Sequence, residues 1–197
     1  MSELGVKTIY GQAIGAWLSS LAQLRITVFR EFPYLYEGNL AYEAQYLQIY
    51  VDSPRSIAVL LLDGDTLVGA STGLPLADET PEFTSPFHAA GLAAKDYFYC
   101  AETIILPAYR GHGLYRGCFE AREARAKELG LKYSCLASVL RPENHPRRPA
   151  DYQALDPIWQ RYGYTARPDL QMSLAWQDLD EAAESPKALQ FYIKPLT

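Results

Sequence analysis

The stretch "DYFYCAETIILPAYRGHGLYRG", Asp96 to Gly117, constrains this chain more than any other. Its first half is aromatic and β-branched and reads as a strand of about ten residues. Its second half carries three glycines and two arginines between Leu106 and Gly117. A helix then runs from about Leu114 to Leu129, with Gly130 placed just past its end as the C′ residue. A strand passing through a glycine turn into a helix exposes a row of unpaired backbone N–H groups. The helix N-terminus adds about half a positive charge. Glycines at such a place let an anion reach the backbone without meeting a Cβ, so Gly111 and Gly113, with Arg110 and Arg116 beside them, form a candidate phosphate site. Turn geometry alone accounts for the glycines about equally well at this level.

The remaining segments frame that junction. "KTIYG" is a short candidate strand. Leu18, Leu21, Leu24, Ile26 and Val28 give a helical period, which "REFPYLYEGNL" ends with Pro33 and Gly38. A second helix follows from about Ala41 to Tyr50, with Tyr42, Tyr46 and Tyr50 in one stripe. "SIAVLLLDGDTLVGAST" reads as a hairpin turning at Asp63-Gly64-Asp65. The segment "LPLADETPEFTSPFHAAGL" reads as loop with one short helix. "YSCLASVL" is another strand, "RPENHPRRPADYQAL" a proline-rich loop, and "DPIWQRYGY" a short helix closing at Gly163. "LQMSLAW" and "ALQFYIKPL" read as a final antiparallel pair. With no repeat or linker visible, the expectation is one α+β domain over residues 1–197.

Composition excludes several classes. The formal charge is −5, from 18 Lys+Arg against 23 Asp+Glu, which disfavours nucleic acid as a partner. Three cysteines, Cys100, Cys118 and Cys135, lack paired spacing and read as buried free thiols. Three histidines without ligand spacing give no metal site. The opening "MSELGVKTIYG" has no basic segment leading an apolar one, and "AIGAWLSSLAQL" is too short and polar to span a bilayer. The expectation is a cytoplasmic protein with no membrane partner.

Spacing then sorts the anions. A dinucleotide fingerprint needs G-x-G-x-x-G, and here Gly117 falls one residue late after Gly111 and Gly113. No acidic residue ends the next strand, and no Gly-Lys-Ser/Thr triplet exists for a P-loop. The run Arg110-Gly111-His112-Gly113-Leu114-Tyr115 instead resembles the Arg/Gln-x-x-Gly-x-Gly/Ala motif of the GNAT superfamily of acyl-CoA-dependent N-acyltransferases. "IILPAYRGHG" matches that family's approach to the motif in full, and the resemblance covers Ser56 to about Tyr164. Tyr115 stands where the family usually has a small residue.

The resemblance implies a mixed, mostly antiparallel sheet flanked by helices and splayed between its fourth and fifth strands, here "ETII" and "CLASV". It implies acetyl-CoA as acyl donor, with no metal. The donor's pyrophosphate would lie on the backbone of Arg110, Gly111, His112, Gly113, Leu114, Tyr115 and Arg116. Its pantetheine arm would bond Thr103, Ile104 and Ile105 as an added strand. The acceptor would be a primary amine of a small molecule or peptide, attacking directly in a ternary complex, and a homodimer is compatible with the reading.

Glu102, the one acid in "YFYCAETIIL", is the candidate general base; between apolar neighbours, burial would raise its pKa. Strand alternation puts Glu102 and Ile104 on one face, Thr103 and Ile105 on the other. The family's usual tyrosine acid is replaced by Trp159, leaving Tyr162, Tyr152 and Tyr109 unranked as substitutes. Tyr34 and Tyr36 are candidates for the acceptor pocket, and His145 for a substrate contact or a rival base. A non-catalytic acyl-CoA-binding module on the same fold is the alternative.

Overall fold

The computed structural model describes residues 4–196. Seven strands form one sheet: β1 (Leu4–Ile9), β2 (Ile57–Asp63), β3 (Thr66–Pro75), β4 (Tyr97–Ile105), β5 (Tyr133–Val139), β6 (Thr165–Trp176) and β7 (Ser185–Pro195). Their spatial order is β1-β2-β3-β4-β5-β7-β6, so the last strand inserts between β5 and β6. Every neighbouring pair is antiparallel except β4 with β5, which is parallel. The mixed, mostly antiparallel sheet expected from the sequence is the one observed.

Five α-helices cover the sheet: α1 (Leu18–Phe29), α2 (Leu40–Asp52), α3 (Pro81–Ala89), α4 (Leu114–Glu128) and α5 (Asp156–Arg161). α1 begins where its leucine period predicts, after a 3-10 turn over Gly11–Trp17 that the sequence reading did not anticipate. α2 starts because Asn39 caps it, its side-chain oxygen accepting from Ala41 N at 2.9 Å and Tyr42 N at 3.1 Å. Pro81 opens α3 at the first turn, where a missing N–H costs nothing. α4 leaves Gly113, at φ 75°, and is followed by Gly130, at φ 71°. β1 runs earlier than "KTIYG", and β6 starts five residues before "LQMSLAW", with an irregular register between Arg167 and Gln171.

Two apolar layers hold these parts together. Leu21, Leu24, Leu47, Tyr50, Phe83 and Phe87 from α1, α2 and α3 pack on Leu60, Tyr97, Tyr99 and Phe191. On the other face Cys118, Phe119, Ala126 and Trp159 from α4 and α5 pack on Val59, Phe98, Leu136 and Tyr192. The tyrosine stripe of α2 spans a gradient, with Tyr50 fully buried and Tyr42 exposed. Gly73 is fixed by this packing, since a Cβ there would fall 2.6 Å from the Phe98 ring and 2.9 Å from Tyr99 O.

Two irregularities in β4 shape the site. First, Ser71 pairs with Thr103 and Gly73 with Cys100, so Ala101 and Glu102 together stand against Thr72 alone. This bulge reverses the alternation of the strand. Tyr97 and Tyr99 face the α1 layer, Phe98 and Cys100 the α4 layer, and beyond the bulge Ile104 returns to the α1 layer and Ile105 to the other. Second, β4 and β5 pair only from Tyr97 to Tyr99 and then diverge. β5 continues its ladder with β7 through Val139, while the β5-facing edge of β4 from Cys100 onward has no strand partner.

Candidate active site

The unpaired edge of β4 leads straight to the glycine turn. Gly111 has φ 84° and Gly113 φ 75°, conformations that favour glycine, and a Cβ built on either would meet no atom within 4 Å. The turn is therefore open on the side where a phosphate would approach. Three N–H groups at the start of α4, those of Leu114, Tyr115 and Arg116, lie at its positive end. Arg110 supports the turn from beneath: Nε donates to Ile105 O at 2.9 Å and Nη1 pairs with Glu31 at 2.8 Å. His112 is exposed, with Nδ1 3.2 Å from Tyr109 O, and Arg116 pairs along the helix with Glu120.

A cavity of about 960 Å³ starts at this turn and fills the gap between β4 and β5. Thr103, Ile104 and Ile105 line it on one side and Leu136, Ala137 and Ser138 on the other. A smaller cavity of about 80 Å³ lies toward α1 and α2, walled by Tyr34, Tyr36, Tyr46, Tyr99 and Trp176. Phe29, Tyr34, Ala101 and Glu102 border both, so the β4 bulge is where the two spaces meet.

Glu102 is buried, as its apolar surroundings in sequence suggest, but it is not isolated. Arg25 Nη1 sits 2.6 Å from Glu102 Oε2, and Arg25 Nε is held by Glu43. The guanidinium also lies 4.3 Å from the ring centre of Tyr46 and 5.0 Å from that of Phe29. The expectation of a carboxylate among apolar neighbours alone is thus corrected by a cation delivered from α1. Glu102 Oε1 is buried with no hydrogen-bond partner among the described residues.

Burial and the Glu102 carboxylate push the Tyr34 phenol up to about 12, and burial with Glu43 beside it raises Tyr36 further. Glu79, buried behind Tyr99 and Tyr46, is pushed up to about 7 by desolvation, with Glu102 adding to the effect.

The structure brings Glu102 and Tyr34 together and sets Tyr36 in the smaller cavity alone. His145 lies outside both linings; it stands 5.7 Å from the Phe32 ring and accepts from Arg147 N at 3.2 Å. Tyr109 donates its hydroxyl to Asp63 at 2.8 Å. Tyr152 packs edge-on against Phe32, and Tyr162 stacks beside Tyr115.

Three arginines that the sequence reading did not single out support the site. Arg25 lies on the α1 face marked by Leu21 and Phe29, one turn to either side, and a charge on an apolar stripe is the signal that a buried partner exists. Arg122 of α4, only 1% exposed, donates to the carbonyls of Thr72 at 3.3 Å and Glu102 at 3.1 Å, bracing the bulge from the opposite layer. Arg141 binds both oxygens of Asp178 and the carbonyls of Pro33 and Tyr34, fixing the loop that carries Tyr34.

The three cysteines are free and buried. Among the described residues no His/Cys/Asp/Glu group is arranged to hold a metal, and no helix is long and apolar enough to cross a membrane.

No protein-family model matches the sequence, and no curated protein matches it significantly. Solved structures do match in three dimensions. An acetyltransferase of the GNAT family from Streptococcus pneumoniae superposes with a TM-score of 0.61 at 13% identity, over 99% of this chain and 100% of that one. An N-acetyltransferase from Staphylococcus aureus Mu50 gives 0.60 at 12% identity, with 100% of each chain covered. The yncA protein from Salmonella typhimurium, solved with its cofactor acetyl-CoA, gives 0.60 at 9% identity over 98% of this chain and 94% of that one. At such identities the likeness is one of architecture, and the fold of this chain is that of the GNAT acetyltransferases.

Proposed function

We propose that the chain transfers an acetyl group from acetyl-CoA to a primary amine of a small molecule or peptide, by direct attack within a ternary complex. The observation that carries this reading is the continuous cavity from the Gly111–Gly113 turn, along the unpaired edge of β4, to the carboxylate of Glu102.

The residues fit the donor along its length. Open backbone at Gly111 and Gly113, with the N-terminus of α4, suits a pyrophosphate. The edge of β4 from Thr103 to Ile105, which pairs with no strand on its β5 side, suits the amides of a pantetheine arm. Held there, the thioester would face the bulge, where the smaller aromatic cavity opens. Proximity of amine and thioester supplies much of the rate in such a reaction.

An ordinary primary amine titrates at about 10.4 and is cationic at neutral pH, so a proton must leave before attack. Glu102, bordering both cavities, is the group assigned to take it, directly or through one water. Tyr34 and Tyr36 wall the acceptor side, and His145, outside both cavities, packs on Phe32, which lines the larger one.

The test is a screen of amines against acetyl-CoA that follows release of the CoA thiol. An acceptor-dependent release that tracks the enzyme concentration supports the reading. Tight acetyl-CoA binding with no release for any amine class assigns the chain to the non-catalytic binding module instead.

A further inference from the structure

Three charged side chains line the smaller cavity: the cation Arg25 and the carboxylates Glu43 and Glu102. Arg25 engages one oxygen of each carboxylate. The other two, Glu43 Oε1 and Glu102 Oε1, are buried without a hydrogen-bond partner. Among the described residues that line this cavity, no other has a buried side-chain nitrogen or oxygen in that state. Tyr36 stands beside Glu43, and burial together with that carboxylate keeps the proton on its phenol. Two buried acceptors on one cavity, with no donor from the protein, call for a donor from a ligand.

One cation against two carboxylates leaves one negative charge over. A guest with a single positive charge neutralises the cavity, a second ammonium overshoots it, and a carboxylate adds to the imbalance. The rest of the wall is largely apolar, with Phe29, Phe83, Tyr99, Leu174, Trp176 and Leu189. Tyr42, exposed, carries that wall to the surface. There burial raises its phenol, with Glu43, Glu184 and Glu82 adding to the rise and Arg25 opposing it. The approach is therefore acidic too.

The outer wall is closed by backbone. The chain between α1 and α2 pairs with the connection between β6 and β7: Glu37 N donates to Gln177 O at 2.9 Å, and Leu179 N to Leu35 O at 2.7 Å. Tyr36 and Asp178 form a bridge between these hydrogen bonds, and Trp176 Nε1 donates to Tyr34 O at 3.1 Å. Tyr34, Tyr36 and Trp176, all on this strap, wall the cavity. The pairing leaves no open edge there for an extended peptide to lie on, and a space of about 80 Å³ takes one small body.

We propose that the acceptor is a small amine with one positive charge and a compact apolar body, and that amino acids, peptides and polyamines are poor acceptors. This rests on the acetyl-transfer reading of the same site. The ammonium group donates to the free oxygens of Glu43 and Glu102, and the apolar body lies among the rings. Transfer of one proton to Glu102 frees the nitrogen for attack and leaves the site's total charge unchanged.

Matched acceptors test this by the rate of CoA-thiol release from acetyl-CoA. Phenethylamine should exceed phenylalanine in kcat/KM by about 100-fold, the scale of a like-charge juxtaposition. Phenylalaninol, which replaces the carboxylate by a neutral group of similar size, should recover most of that loss. Hexylamine should exceed hexamethylenediamine by about tenfold, because the second ammonium has no carboxylate left to meet. Phenylalanylglycinamide, uncharged beyond its amine, should be turned over far more slowly than phenylalaninol. Glu43→Gln keeps an acceptor for Arg25 and removes the surplus charge, so the preference for phenethylamine over phenylalanine should shrink by about tenfold. Should that variant not fold, the phenylalaninol arm separates charge from size in the wild type. Phenylalanine, the diamine or the dipeptide amide turning over as well as its matched monoamine overturns the proposal, as does an unchanged preference in folded Glu43→Gln. If none of these probes releases thiol while other amines do, the proposal falls and acetyl transfer stands. If no amine of any class does, the acetyl-transfer reading itself fails.

Discussion

Arg25 Nη1 of α1 lies 2.6 Å from Glu102 Oε2 of β4, and the same guanidinium holds Glu43 of α2. All three side chains are withdrawn from solvent. One cation between two carboxylates ties both helices to the bulged strand and leaves a net charge of about −1 at the junction of the cavities, which suits an incoming ammonium group better than an anion. Removing the cation would strand two buried carboxylates, at a cost on the order of 3–5 kcal/mol.

The first prediction separates the catalytic from the structural role of this triad. Glu102→Gln retains the shape and an acceptor for Arg25, so the fold and acetyl-CoA affinity should survive while kcat falls by roughly 10²–10⁴-fold. The acidic limb of the pH–rate profile should weaken with it. Arg25→Met should instead lower the melting temperature strongly. His145→Gln is the matched control and should leave kcat and the profile near wild type; the reverse pattern moves the base to the loop.

A second prediction concerns the glycine turn. Gly113→Val places a branched side chain at φ 75°, which alone costs roughly 1–2 kcal/mol. Its larger effect should be the loss of the thermal shift that acetyl-CoA induces, because the methyls point where the phosphates approach. Gly117→Ala lies in the helix with nothing within 4 Å of its Cβ, and should be neutral or stabilising by up to about 1 kcal/mol. A full acetyl-CoA shift in a folded Gly113→Val protein would place the donor elsewhere.

What the sequence disclosed follows from how local each feature is. The strand–turn–helix junction was legible because Gly111, Gly113 and Gly130 mark backbone conformations that neighbouring residues alone require. The Asp63-Gly64-Asp65 hairpin was legible for the same reason, with Gly64 at φ 59°. The bulge at Ala101–Glu102 was not, since it depends on the register of β3, about thirty residues away in "LVGASTG". Nor could periodicity show β7 entering between β5 and β6, because an antiparallel pair has the same pattern at an edge or inside a sheet. The ion triad joins three elements through side chains, and only the odd placement of Arg25 on an apolar stripe hinted at it.

Glu79 gives the pH prediction. Its carboxyl is pushed up to about 7 by burial, so between the ordinary carboxylate range and about pH 7 the folded state holds a proton that the unfolded chain has released. Stability from this group is present at low pH and is lost as pH rises through about 7. The full loss is on the order of 3 kcal/mol. Glu79→Gln, which can still accept from Thr80 N, should raise the melting temperature at pH 8, leave it nearly unchanged at pH 4, and flatten the profile between them. Equal shifts at both pH values would show that Glu79 is ionised in the fold.

Arg141 allows the acceptor side to be tested apart from the donor side. Its guanidinium takes both oxygens of Asp178 at 2.7 and 2.9 Å and donates to Pro33 O at 2.7 Å and Tyr34 O at 2.8 Å. That grip holds a loop in which Leu35 sits at φ 55°, a conformation costing a branched residue roughly 1–2 kcal/mol. A lysine cannot satisfy a carboxylate and two carbonyls in one planar fork. Arg141→Lys should therefore loosen Tyr34 without touching the glycine turn. For an amine returned by the screen, KM should rise by about tenfold while acetyl-CoA affinity and its thermal shift stay at wild type. Lys187, 3.6 Å from Asp178, still neutralises the buried carboxylate, so the variant should fold. If donor affinity falls in step with the amine KM, the loop serves the whole cavity and Tyr34 is not specific to the acceptor.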